Sequence, residues 1–329
     1  MNTNHRYPIV YGAYAKDEHI ILNSSSGGMF TLIVNWFLQE YNNNCMVAGV
    51  IWDDDFKGAH YVLSNKLDVI KKMRGSKYIQ SKKNDIFTTI EKKLKSGKYI
   101  LFIGCPCEVA ALKKYLNKEY NELFTVDFMC KGALSPKVME QYVDDIEKKY
   151  KSTIKDINMR YKWEKMDTWI PQFIKIDLDN GKSIIKEFYN TELGHAFRIM
   201  QRPACYDCKF MENNKVADIT IGDFHGVKKQ MKFYNPKGTS TLFINDEKGE
   251  VIFNCISNNM IYDIADAAYI YENNKGFKDL QRDKFGKIIA SKGLHMAIKE
   301  CLTVKDRIKL ILPTKFVRYI SSLKRGKIE

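Results

Sequence analysis

Residues 98–132 read KYILFIGCPCEVAALKKYLNKEYNELFTVDFMCKG, and their pattern decides the fold class. Lys98 to Ile103 is an apolar run of strand length, Gly104-Cys105-Pro106-Cys107 breaks it, Glu108 to Leu116 repeats apolar residues at helical spacing, and Leu123 to Phe128 is a second apolar run. Two short apolar runs flanking one helix describe a βαβ unit, whose parallel strands are covered on both faces. A crossover of this kind leaves the loops after both strands at the carboxyl edge of the sheet. Cys107 at the helix start and Cys130 just past the second strand are therefore predicted to converge, although 22 residues separate them.

Outward toward the start of the chain, Ile9 to Ala15 and His19 to Leu22 are expected as strands, leading into Ser24-Ser25-Ser26-Gly27-Gly28 and a helix from Met29 to about Tyr41. A glycine-rich loop opening a helix offers unpaired N–H groups, the positive end of the dipole and three hydroxyls, which makes it a candidate phosphate cradle. The alternative is that Ser26 caps the helix and the glycines only form a turn. Strands Cys45 to Trp52 and His60 to Ser64, helix Leu67 to Met73, the polar loop Gly75-Ser76-Lys77-Tyr78 and helix Asn84 to Ser96, closed by Gly97, follow. Downstream, Ser135-Pro136 opens helix Val138 to Tyr150, and strands Lys155 to Tyr161 and Ile174 to Phe188 include a tight turn at Asp179-Asn180-Gly181. Helix Thr191 to Met200, strand Ala217 to Ile221, a hairpin of Thr241 to Ile244 with Val251 to Cys255, and a helical basic stretch from about Lys275, interrupted at Pro313, complete the pattern. The expected class is α+β with a mixed α/β core, divided at 1–97, 98–260 and 261–329.

The 329 residues are 45% hydrophobic and 12% aromatic, enough for a substantial core and too much for a disordered chain. Apolar stretches such as Ile33 to Leu38 fall far short of the roughly 20 residues that cross a bilayer, and Met1 to Tyr14 lacks the apolar centre of a signal peptide. A cytoplasmic location is expected. Fifty-three Lys and Arg against 39 Asp and Glu give a net charge of +14. Nearly half of it lies between Lys305 and Glu329, where eight basic residues face two acidic ones. Such a tail is either a solvated helical end or a contact for anionic lipid, nucleic acid or an acidic protein.

Eight cysteines divide by context. Cys45, Cys255 and Cys301 stand in apolar surroundings and are expected to pack as small hydrophobes. Cys105, Cys107, Cys130, Cys205 and Cys208 fall in loops, where thiolates ligate metals or react. The spacing Cys205-Tyr206-Asp207-Cys208 lets both sulfurs serve one centre, with Cys107 and Cys130 available by topology, so the four are a candidate set for structural zinc or an iron–sulfur cluster. One paired knuckle and two isolated cysteines are unlike the two knuckles of a zinc ribbon, and the cluster is the preferred reading. A Cys105–Cys107 disulfide would be strained, leaving Cys105 a place behind the ligands. Asp223 and His225 end a strand in Gly222-Asp223-Phe224-His225-Gly226, where a proton-handling pair competes with a capping role.

Seven blocks in order, namely Tyr11 to Ala15, Ser24 to Phe30, Ser76 to Tyr78, Gly104 to Leu112, Asp127 to Pro136, Arg202 to Cys208 and Asp218 to Gly226, resemble the beta subunit of coenzyme F420 hydrogenase and dehydrogenase. The resemblance implies FAD and a [4Fe–4S] cluster, with Cys107, Cys130, Cys205 and Cys208 as cluster ligands. It places Ser24, Ser25, Ser26, Gly27, Gly28, Ser76, Lys77, Tyr78 and the Asp223 region around the flavin. Members usually carry Thr at Cys105, Gln at Glu108, His at Lys131 and Trp at His225, and many begin with a ferredoxin-like block that this sequence lacks. The likeness to short relatives of surface-polysaccharide gene clusters implies a sugar-linked hydride partner and a separate ferredoxin or electron-transfer subunit. A zinc-stabilised module using its basic surface on nucleic acid is the alternative, though no stacking-aromatic RNA motif is present and no specific nucleic acid is expected. A thiol-redox protein using Cys105 and Cys107 is the third reading.

Overall fold

The computed structural model describes residues 7–211, 214–273, 276 and 281–312. An eight-stranded mixed sheet is built from β1 (Ile9–Ala15), β2 (Cys45–Trp52), β3 (Ala59–Ser64), β4 (Tyr99–Gly104) and β5 (Leu123–Phe128), followed later in the chain by three more strands. Between these groups, β6 (Ile154–Tyr161), β7 (Phe173–Leu178) and β8 (Ser183–Glu187) form a separate antiparallel sheet, after which β9 (Ile219–Asp223), β10 (Ser240–Ile244) and β11 (Met260–Ile264) rejoin the large one. Its order is β11-β1-β10-β9-β5-β4-β2-β3, with β2, β4, β5 and β9 parallel and the outer pairs antiparallel. The expected βαβ unit is present: β4 pairs with β5 in parallel from Ile100↔Leu123 to Gly104↔Asp127.

The central strands are apolar on both faces because both are covered. Leu101 and Ile103 of β4 pack toward Ile33 and Phe37 of helix Met29–Tyr41, while Ile100 and Phe102 meet Ile90 of helix Ile86–Lys95 and Leu112 of helix Pro106–Leu116. The small sheet forms a second core with helices Pro136–Tyr150, Glu192–Ile199, Arg282–Lys292 and Leu294–Cys301. Among the described residues no helix is long and apolar enough to cross a membrane.

Two strands expected from the sequence are helical. Glu18–Leu22 forms a helix because Asp17 caps it, accepting from the His19 N–H at 2.8 Å. Four residues of alternation are too few to outweigh such a cap. Val251 to Cys255 is not the partner of β10 but part of helix Glu247–Ile256, capped by Asp246, which accepts from the Gly249 N–H at 2.8 Å. Its buried residues Gly249, Ile252, Phe253 and Ile256 make a helical stripe, and β10 pairs instead with β1 and β9. The change moves Cys255 off the core side, so it is exposed, whereas Cys45 is fully buried as expected and Cys301 half-buried against the second core. Pro313 and the rest of the basic tail from residue 313 onward lie outside the described residues. Truncation at the fully buried Phe37 is expected to cost about 3–5 kcal/mol and Asp246→Ala about 1 kcal/mol, read from urea unfolding; equal small losses would contradict this packing.

Candidate functional site

The carboxyl ends of β4, β5 and β9 deliver Cys105 and Cys107, Cys130, and Asp223 and His225 to one edge of the sheet. On that edge β1 and β10 meet through Ala13↔Ser240, which seats the serine–glycine loop: Ala15 N–H donates to Gly27 O at 2.7 Å and Gly27 N–H to Ser240 Oγ at 2.8 Å. A Cβ on Gly27 would come within 2.6 Å of Ala13 O, so only glycine lets the loop approach this closely. A cavity of about 300 Å³ opens here, lined by Ser24, Ser25, Ser26, Gly28, Ser76, Lys77, Tyr78, Asp223 and His225 together with Cys105, Cys107, Cys130 and Cys205. Gly27 and Cys208 are not among its lining residues.

The loop hydroxyls are mostly occupied within the protein. Ser24 donates to Ile20 O at 2.7 Å and Ser26 to Thr239 O at 2.7 Å, while Ser25 Oγ lies 3.1 Å from Ser76 Oγ and accepts from Ser76 N–H at 3.1 Å. Ser26 therefore does not cap the helix; Gly28 occupies that position with φ 100° and no side-chain bond, leaving the first-turn N–H groups of Met29 and Phe30 without intrahelical acceptors. Lys77 is also committed. Its ammonium donates to the carbonyls of Lys72, Met73, Arg74 and Gly75 at 2.9–3.2 Å, closing the end of helix Leu67–Met73, and burial lowers its pKa to about 7. Tyr78 projects into the site and accepts from Arg160 at 3.0 Å.

Arg160 and Lys162, at and just past the end of β6, are the cations that sequence reading missed. Arg160 Nη1 donates to Tyr78 and, at 2.7 Å, to Asp223 Oδ2; its Nη2 is buried without a hydrogen-bond partner. Burial works against the Asp223 carboxylate, but Arg160, His225 and Lys162 outweigh it and its pKa falls below the ordinary value. Burial lowers the His225 pKa to about 4 despite Asp223, so its imidazole is neutral at pH 7. Lys162 Nζ donates to Ile21 O at 3.0 Å and Ser26 O at 2.6 Å, tying the small sheet to the serine loop, and burial with Arg160 nearby lowers its pKa to about 7.

On the cysteine side, Cys105 and Cys130 have Sγ atoms 3.9 Å apart, and the Gly132 N–H donates to Cys130 Sγ at 3.3 Å. Cys107 and Cys205 each lie within electrostatic reach of Cys130, Cys208 and Arg202. The four predicted ligands thus gather in one locality, with Cys107 exposed and the other three half-buried. Among the described residues no three Cys, His, Asp or Glu side chains stand close enough to hold a single metal ion. Tetrahedral zinc draws its thiolates to within roughly 3.8 Å of one another, whereas a four-iron cluster takes one thiolate per iron. Glu108, just after Cys107, is buried and accepts from Tyr61 at 2.7 Å, Ser81 at 3.0 Å, Lys83 at 2.6 Å and the Cys105 N–H at 3.1 Å. Burial raises its pKa, but Lys83 and these donors reverse the effect and keep it ionised. Asp127, fully buried in β5, has its pKa pushed up to about 6 by burial.

The family model for the C terminus of the coenzyme F420 hydrogenase/dehydrogenase beta subunit matches residues 97–268, which include β4, β5, β9 and all five loop cysteines. The chain belongs to this family. It is 24% identical over 253 residues to the coenzyme F420-dependent sulfite reductase of Methanocaldococcus jannaschii, a match covering 74% of this chain and 36% of that protein. The chain thus spans about a third of the length of this curated relative. A chain in the structure of the F420-reducing [NiFe] hydrogenase complex from Methanosarcina barkeri shares the fold, with a TM-score of 0.54 at 16% identity over 86% of this chain and 93% of that one. The F420 hydrogenase and dehydrogenase family is one of oxidoreductases.

Lys77 and Lys162 bind fewer protons folded than unfolded between pH 7 and 10.5, so stability is expected to rise across that window by roughly 1.4 kcal/mol per pH unit for each lysine at most. Lys162→Met should remove about half of that rise in urea midpoints measured from pH 7 to 9. An unchanged slope would mean that Lys162 is not buried as a titrating cation.

Proposed function

We propose that the chain is a FAD- and [4Fe–4S]-dependent oxidoreductase that moves electrons between a hydride-carrying small molecule and the cluster. The observation carrying this reading is that one cavity is lined both by the residues expected around the flavin and by three of the four expected cluster ligands. When bound, these groups supply the exchange between a hydride's electron pair and single electrons.

Two sets of residues would hold the two groups. Ser25, Ser76, Tyr78 and the first-turn N–H groups of helix Met29–Tyr41 would hold the flavin, with Arg160 Nη2 as a free donor beside Tyr78 and Asp223. Lys162 and Lys77 do not touch it in this reading; they hold the two loops in shape. Asp223 accepts from Arg160 and orients that guanidinium, with neutral His225 beside the pair. Cys107, Cys130, Cys205 and Cys208 would hold the cluster, with the Gly132 N–H donating to one ligand sulfur. A separate ferredoxin or electron-transfer subunit would take electrons onward at exposed Cys107, near Arg202, and the hydride partner would be a sugar-linked substrate used in the cytoplasm.

Anaerobically purified protein is expected to be yellow-brown, with about four irons per chain and releasable FAD. Zinc without flavin would replace this reading with the zinc-stabilised module. Cys130→Ala and Cys205→Ala should lose most of the iron while Cys45→Ala and Cys105→Thr keep it, and comparable loss in Cys45→Ala would assign the effect to unfolding. Separately, Arg160→Met should lower FAD content about tenfold at unchanged iron, because it removes a charged donor from a buried site. Full FAD retention in that variant would move the flavin away from Arg160.

A further inference from the structure

We propose that helix Val304–Ile311 is a surface anchor that lays Val304, Ile308 and Ile311 into the headgroup region of an anionic lipid bilayer. These positions, at i, i+4 and i+7, form one stripe along the helix. All three are open to solvent, at 63%, 50% and 83% exposure, and the helix buries none of its residues fully. Its other side is fixed to the protein: Leu310 packs against the second core, and Lys186 donates to Leu310 O at 2.8 Å. The aliphatic stripe is therefore a rigid outward feature.

Charge selects the occupant. Lys305 and Arg307 flank the stripe, and the acidic residue of the helix, Asp306, is turned to its own neighbours, accepting from Thr303 Oγ1 at 2.8 Å and Lys309 Nζ at 3.0 Å. Beyond it the sequence adds Lys315, Arg318, Lys324, Arg325 and Lys327 against Glu329, interleaved with Phe316, Tyr319, Ile320 and Leu323. Three aliphatic side chains cover far less than the roughly 800 Å² per partner of a stable protein interface. The same three, joined to a polybasic stretch, meet the two-signal requirement for a peripheral bilayer contact, in which each cation is attracted without needing a fitted partner.

The test is sedimentation of the full chain with vesicles of phosphatidylcholine alone or with about one-third phosphatidylglycerol. Binding is expected to the mixed vesicles and to be about tenfold weaker to phosphatidylcholine alone and in high salt. Ile308→Asp with Ile311→Asp should weaken it about tenfold, as should Lys305→Glu with Arg307→Glu, whereas Val251→Asp, at an exposed position on another helix, should leave it unchanged. Thermal melting of each variant separates lost binding from lost folding. Equal binding to both vesicle types, wild-type binding by both double variants, or displacement from mixed vesicles by soluble polyglutamate at equal charge would overturn the proposal, the last in favour of an acidic protein partner.

Discussion

Parallel pairing of β5 with β4 on one side and β9 on the other is the constraint from which the site follows. Parallel neighbours cannot be joined by a tight turn, so each needs a crossover, and the loops at their carboxyl ends are left open to carry chemistry. Because these strands are apolar on both faces, alternation cannot set their register. Polar bonds set it instead. Asp218 accepts from Thr125 N–H at 2.7 Å and returns its own N–H to Thr125 O at 3.1 Å, and Asn245 donates to Ala217 O at 2.9 Å and Thr220 Oγ1 at 3.0 Å. Buried bonds of this kind penalise any slip of β5, β9 or β10, and with them any displacement of Cys130 from Asp223.

The edge of the sheet is lined with buried charge that is paired rather than removed. Arg160 with Asp223, and Lys83 with Glu108, hold their partners at 2.7 and 2.6 Å. Pairs of this kind give little net stability, but removing one member strands the other in a low dielectric. Their value here is orientation: Glu108 fixes the Cys105 N–H at the helix start, and Asp223 fixes a guanidinium whose Nη2 is buried without a hydrogen-bond partner. A carboxylate is tolerated at Glu108 because Lys83 reaches the same oxygen that Ser81 does.

The βαβ unit was legible because apolar runs, Gly104, Pro106 and helical spacing all agree over 35 residues. The meeting of the Cys107 and Cys130 loops was predicted from that topology alone, whereas Cys205 and Cys208 were joined to them by spacing and resemblance. Helix Glu247–Ile256 was not legible as a helix from Val251 to Cys255 by itself; its signal was Asp246 three residues before Gly249 and the stripe through Ile256. Arg160 and Lys162 were hidden for a different reason. In a strand of mixed polarity each looks like an ordinary exposed cation, and the groups that bury them lie 63 to 141 residues away in the chain. The serine loop misled in the same way, since Ser26 finds its acceptor 213 residues on, and a hydroxyl already donating to a carbonyl is not free to donate to phosphate.

Burial across the site gives the proposed electron path a direction. Tyr78, Arg160 and Asp223 form one hydrogen-bonded group beside the point where the small sheet and the serine loop meet through Lys162. Cys130 is half-buried, and Cys107 is exposed beside Arg202. In the proposed reading a hydride donor would have to reach the flavin within bonding distance, and the buried Arg160–Asp223 pair marks the part of the cavity where an added charge or donor counts most. Single electrons need only proximity, so their exit belongs where a thiol meets the surface. The cationic groups of the site divide accordingly: Lys162 and Arg160 are locked to carbonyls and a carboxylate, while Arg202 lies beside Cys107 and Cys205.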